Sequence, residues 1–276
     1  MKLRIAVVQF EIKQFSPNKN LKKAENFIKK ASKEKADIIV FPEDFLTGGI
    51  TKKEIDTYAD SNKKYRTLFQ ELARKYKIDL VAGSILEKEW KGFYNVCYYI
   101  NSAGKIKGKY KKINLWWTER EHISPGNEIC VFNTRYGKIG LIICWDLMFP
   151  EIFRRRIKKG ARIIFCPSLW YKGINFKPYQ KLNPNAEKEH VNTLCKTRAV
   201  ENNIFLIYAN AIGMLKNSKE KVDEAIGQSQ ITAPIKGVLK KAKDKTEMMF
   251  IQEITTDILK DAERAFGIRK DLKNRF

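Results

Sequence analysis

Residues 140–151, GLIICWDLMFPE, constrain the fold of this chain more than any other stretch. Leu141, Ile142 and Ile143 make a continuous apolar run, the pattern of a strand buried on both faces. Cys144 ends the run, and Trp145 and Asp146 break it. Pro150 stands where a helix would begin, because its fixed φ suits a first turn that needs no N–H. The thiol therefore falls at the carboxyl end of a central strand, where small-molecule sites gather in open α/β sheets. A free Cys is more often a small buried hydrophobe. Cys144 gains chemical meaning only if the chain supplies a base and an oxyanion donor elsewhere.

The rest of the chain repeats this alternation. Residues 3–10 read as a strand, and Leu21, Ala24, Ile28 and Ala31 mark one face of a helix. A buried strand at 38–41 is closed by Pro42. Leu68, Leu72 and Tyr76 mark a helix that leads into a strand at 79–85. Segments 93–100 and 105–110 form a hairpin around the turn residues 101–104, and strands at 129–133 and 138–143 flank Arg135, Tyr136 and Gly137. After the helix at Pro150 come a strand at 163–166 and a polar, Pro- and Asn-rich loop at 171–186. Val191, Leu194, Cys195 and Arg198 mark the next helix, which leads into a strand at 204–208. Strands near 226–233 and 246–254 surround a turn at 234–237, and an amphipathic helix starts at about residue 257. With no linker or composition shift, residues 1–276 are expected to form one α/β domain, a mixed sheet covered by helices.

Composition removes several functional classes. No run reaches the ~18 apolar residues of a membrane helix. The start, MKLRIAVVQFEI, has a short, charge-interrupted apolar stretch and no small-residue cleavage site, so a cytoplasmic protein is expected. The five cysteines include no CxxC pair, and the two histidines, His122 and His190, form no HExxH. A zinc knuckle, a thioredoxin motif and a His-rich metal site are therefore not expected, nor is a His-based triad unless one of these two serves. The net charge of +23 raises the alternative of a basic nucleic-acid-associated protein without catalysis. Lys and Glu are, however, scattered along amphipathic helices, a Lys/Glu-rich surface of the kind seen in hyperthermophile proteins.

Two more strand ends share the design of Cys144. Glu43 follows a buried strand and Pro42, with Gly48 and Gly49 just beyond. A carboxylate at the rim of an apolar core is desolvated, which raises its pKa toward that of a useful base. In residues 108–126, the pair Lys111 and Lys112 precedes an apolar, aromatic run, so one ammonium could point inward. Combined, a thiol, a carboxylate and an ammonium suffice for nucleophilic acyl transfer without histidine. A nearby ammonium is expected to lower the thiol pKa.

These motifs, with AVVQF near the N-terminus and RAVENNIF at 198–205, resemble those of the nitrilase superfamily of carbon–nitrogen hydrolases. The resemblance covers nearly the whole chain. It implies a four-layer α-β-β-α sandwich of two mixed sheets flanked by helices. It also implies a Glu43–Lys112–Cys144 triad, with Glu119 positioning substrate and Lys112; Glu121 and His122 fit that place less well. Lys111 receives no chemistry. The Trp145 N–H becomes an oxyanion donor, while Trp117 and Trp170 are candidate pocket walls. No metal or organic cofactor is implied. The expected activity is hydrolysis of a small linear amide or N-carbamoyl amine, with nitrile hydrolysis as the variant. A homodimer or larger homo-oligomer is expected, with the tail at about 257–276 in its contacts. The chain departs from the family pattern at Asn114, where a His is usual, at Ala211, at the bulky pair Trp116 and Trp117, and in the 171–186 segment, a candidate lid.

Overall fold

Alternation along the first strand sets up the layers. The structure, a computed structural model, describes residues 2–173, 177–216 and 221–275. Strand β1 (Lys2–Glu11) sends Leu3, Ile5 and Val7 into one apolar cluster and Ala6, Val8 and Phe10 into another. Both faces are covered, as a period of two with apolar residues at every inner position requires. Parallel strands β2 (Ile38–Val40) and β3 (Asp79–Val81) extend the sheet on one side. The antiparallel strands β4 (Ile85–Glu89), β5 (Gly92–Ile100) and β6 (Ile106–Lys111) complete that half.

The second half contains β7 (Val131–Thr134), β8 (Gly137–Leu141), β9 (Ile163–Ser168) and β10 (Phe205–Lys216). Of these, β8, β9 and β10 run parallel. Strands β11 (Val222–Ile226) and β12 (Gln230–Ala233) pair with β10, β13 (Gly237–Lys241) pairs with β12, and β14 (Met248–Thr255) returns to β1. The halves join where Phe10 and Glu11 pair with Ala211 and Ile212. Among the described residues the result is one curled mixed sheet of 14 strands. Tyr99 on β5 meets Phe132 at 5.0 Å and Phe165 at 6.5 Å, so the two halves share a core.

Helices flank both halves. Helix α1 (Pro17–Lys33) is followed by the short α2 (Ile55–Tyr58) and by α3 (Lys64–Tyr76). Ala24, Ile28 and Ala31 of α1 and Phe69 of α3 share a core with β1. Each Ile or Phe so buried contributes about 1.5–3 kcal/mol. On the other side, α4 (Pro150–Lys158), α5 (Lys177–Leu182) and α6 (Ala186–Asn202) follow in order, and Phe153 and Val191 join the core around β8 and β9. Helices α7 (Asp257–Phe266) and α8 (Ile268–Arg275) end the described chain.

Several boundaries differ from the sequence reading. The strand expected at 79–85 is two strands, because Gly83 (φ 59°) turns the chain under Pro42, and a Cβ there would fall 2.1 Å from the Pro42 carbonyl oxygen. The loop expected at 171–186 contains α5, whose first turn begins at Lys177 with Pro178 just inside it. Residues 174–176 of the candidate lid lie outside the described residues. Strands β11 and β13 were missed because both are short and charged. The terminal helix is interrupted at Gly267, where φ is 61°.

Candidate active site

Glu43 is delivered by the end of β2 and fixed by donors from both halves of the sheet. Its Oε1 accepts the Asn95 side-chain amide at 2.9 Å and Lys112 Nζ at 2.8 Å. Its Oε2 accepts the Leu169 N–H, just past β9, at 2.8 Å. Beneath this turn Phe45 stacks on Phe41 and touches Phe10 and Phe69, an aromatic cluster that fixes the loop. Burial raises the Glu43 carboxyl above its ordinary value, against the pull of Lys112.

Lys112 follows β6 and is 1% exposed. Its N–H donates to the Asn95 carbonyl at 2.9 Å. Its ammonium donates to Glu43 and also to Glu119, at 2.9 and 2.7 Å to the two oxygens. Glu119 lies in the 3₁₀ turn Trp117–Glu121 and is held by the Trp116 N–H at 2.6 Å. Burial disfavours the ammonium, yet Glu119 and Glu43 outweigh it and hold Lys112 well above its ordinary value. Lys111 turns the other way, to Glu89 at 2.6 Å and over the Tyr94 ring. Glu121 is exposed, and His122 pairs with the Ile50 carbonyl at 3.0 Å. Of the three residues weighed for this position, Glu119 is the one bonded to Lys112.

Cys144 opens the 3₁₀ turn Cys144–Met148 with φ 46°. For a residue with a Cβ that conformation costs on the order of 1–3 kcal/mol and persists only where its surroundings enforce it. Asp146 does so here. Its Oδ2 accepts the Ile143 N–H at 3.0 Å and the Tyr110 hydroxyl at 2.6 Å, and its Oδ1 accepts both Asn114 donors. The buried Arg156 guanidinium lies over the Tyr110 ring and donates to the Leu141 carbonyl. Burial first, and the Glu43 carboxylate second, push the Cys144 thiol well above its ordinary value, although Lys112 pulls it back. The sulfur therefore rests as a thiol. The expected lowering by the ammonium is outweighed by desolvation and by the Glu43 charge.

Glu43, Lys112, Glu119 and Cys144 line one cavity of about 560 Å³. Trp145 and Trp170 meet there at 5.6 Å between ring centroids. Trp170 is buried, and its indole N–H donates to Glu187 at 2.6 Å. Trp116 and Trp117 form an edge-on pair at 5.6 Å that bounds another side, with Trp117 partly open to solvent. All seven residues singled out in the sequence are thus brought to one cavity. Ala211 is buried opposite Phe10 and is not among the lining residues. Asn95 and Asp146 were missed. Each is a polar residue inside or just after an apolar run, a signal that the pattern contains.

Comparison with known proteins bears on the family and the fold. The carbon-nitrogen hydrolase family profile matches residues 4–263. The chain is 30% identical over 274 residues to a probable nitrilase of Schizosaccharomyces pombe, covering 96% of this chain and 93% of that one. It is 32% identical over 216 residues to the 2-oxoglutaramate amidase of Bacillus subtilis, covering 77% and 78%. The crystal structure of Saccharomyces cerevisiae Nit3, a member of branch 10 of the nitrilase superfamily, superposes with a TM-score of 0.83 at 27% identity, over 100% of this chain and 97% of that one. Spanned by one family profile from the first strand into the helices after the last, the chain belongs to the carbon-nitrogen hydrolase family.

Proposed function

We propose that this protein hydrolyses the C–N bond of a small linear amide or N-carbamoyl amine through a thioester on Cys144. The supporting observation is the shared burial of the Glu43 carboxylate, the Lys112 ammonium and the Cys144 thiol, with Glu43 and Lys112 2.8 Å apart. The Cys144 sulfur adds to the carbonyl carbon while its proton passes to Glu43. Lys112 and the Trp145 N–H hold the oxyanion, each such donor being worth about 2.7–4 kcal/mol. The C–N bond then breaks as Glu43 returns the proton to the leaving nitrogen, releasing ammonia and leaving a thioester. Water loses a proton to Glu43, adds to the thioester, and expels the sulfur, which recovers that proton. Glu119 keeps Lys112 charged and oriented.

A homo-oligomer belongs to the same proposal. Met148 and Val200 are large exposed hydrophobics near the nucleophile turn and on α6, and Arg198 joins the two segments by donating to the Leu147 and Met148 carbonyls. Light scattering that returns a monomer at micromolar concentration removes that element alone. The chemistry is tested by ammonia release from a panel of amides, carbamoyl amines and nitriles, run on the parent protein and on Cys144→Ala. Release by the parent alone is expected. Silence across the whole panel, or comparable release by the variant, overturns the proposal.

A further inference from the structure

Another cavity lies at the opposite end of the parallel strands from Cys144. Cys144 stands past the carboxyl end of β8, whereas Arg162 stands just before the amino end of its parallel neighbour β9. There the end of α4, the turn into β9 and helix α8 enclose about 570 Å³. Arg154, Lys158, Arg162, Arg269 and Lys270 line this space, against one carboxylate, Glu263. That carboxylate is occupied by neutral donors. It accepts the Arg269 N–H at 3.1 and 3.2 Å, the Lys270 N–H at 3.2 Å and the Asn203 amide at 2.9 Å. Arg154 turns to Glu201 and donates to its carbonyl at 2.6 Å. Arg162, Arg269 and Lys270 form no ion pair with any described carboxylate.

Exposed Lys and Arg are what a chain of net charge +23 supplies over its whole surface. Arg269 is different, because it is only 9% exposed. Its Nη2 donates to the Ala161 carbonyl and, at 3.4 Å, to the Asn203 carbonyl, while its buried Nε has no partner. A buried charge without a counter-charge is costly, and native proteins pair such groups. The missing partner also shows in proton affinity. Burial first, and the Arg162 charge second, pull the Arg269 guanidinium down to about 9, against Glu263. Ile157 is buried and Leu272 half-buried in the same wall, so apolar surface lies beside the charges. The volume falls in the range of small-molecule sites, roughly 300–1,000 Å³.

We propose that this cavity binds a phosphate group, held by Arg162, Arg269 and Lys270, either as the free ion or on a small organic body. Guanidinium forks match phosphate oxygens two at a time, and the phosphate supplies the charge that Glu263 does not. An organic body would lie against Ile157 and Leu272. The site shares no lining residue with the Cys144 cavity, so it stands independently of the hydrolase chemistry. A phosphate there ties α8 to α4 and to the start of β9.

Calorimetry on the parent protein tests this at about 0.15 M ionic strength, where exposed charge is screened. The probes are inorganic phosphate, adenosine monophosphate and adenosine. The monophosphate is expected to bind and adenosine not to bind. A monophosphate tighter than inorganic phosphate assigns the site to an organic phosphate, and equal affinities assign it to the free ion. Arg162→Ala and Lys270→Ala change exposed residues outside the core, and each is expected to weaken binding by about tenfold. Lys29→Ala, on α1, is expected to leave it unchanged. The parent's melting temperature should rise with the bound phosphate, and less so in the two cavity variants. Binding of neither phosphate, or binding that Arg162→Ala and Lys270→Ala leave at parental strength, overturns the inference. A duplex oligonucleotide that binds where neither small phosphate does, and that these variants release, overturns it as well and gives this face to nucleic acid.

Discussion

Asn114 holds Asp146 twice: its backbone N–H and its side-chain amide both donate to Oδ1 at 2.9 Å. That pair ties the loop after Lys112 to the turn that opens with Cys144, so ammonium and sulfur are set by one local contact. Asn114→Ala removes the side-chain donor from a buried carboxylate, at a cost of about 1–3 kcal/mol. The expected result is a lower melting temperature and a fall in kcat larger than any rise in KM. An unchanged kcat would show that the tie has no part in catalysis.

Glu43→Gln keeps the volume, leaves one oxygen to accept where the carboxylate has two, and removes the proposed base. General-base loss costs about 10²–10⁴ in rate, and kcat is expected to fall within that range. One cause that raises the Cys144 thiol is removed with the carboxylate, so iodoacetamide should alkylate it no more slowly than in the parent. Cys97, Cys166 and Cys195 are buried away from solvent, and Cys130, half-buried, is pushed up to about 11 by burial. Faster labelling at any of these than at Cys144 would contradict the assignment.

The pH dependence follows from the sign of the Glu43 shift. Burial raises this carboxyl, and the proposed mechanism needs its ionised form, so activity is expected above the raised value and is lost as pH falls through it. The acid limb of kcat/KM should therefore lie above the ordinary carboxylate value of 4.5. A limb at or below that value would mean that Lys112 outweighs burial.

The platform under Glu43 can be probed for stability alone. Phe45→Ala empties the centre of the aromatic cluster and should cost about 3–5 kcal/mol by denaturant unfolding. Gly83→Ala should be at least as disruptive, because its Cβ meets backbone rather than a movable side chain. A Gly83→Ala protein of parental stability would mean the turn is not built as described.

Much of this was legible in the chain itself. Both Glu43 and Cys144 follow apolar runs that stop abruptly, and such runs mark buried strand ends. The resemblance separates Lys112 from Lys111; in the structure Tyr110 within β6 and Lys112 just past it are both buried. The raised thiol was not legible, because depth of burial outweighs one neighbouring charge and depth depends on the whole assembly. Arg162 and Arg269 were not legible as a pair either. They come from distant segments, and what they hold in common is a cavity that sequence spacing does not encode.

The central claim is a covalent bond to one sulfur. Parent protein, mixed with an amide that it hydrolyses and quenched in acid within the first turnover, should carry the acyl mass as a thioester on the peptide containing Cys144. Ammonia release with Cys144 unmodified, or an acyl group found on any other residue, would contradict it.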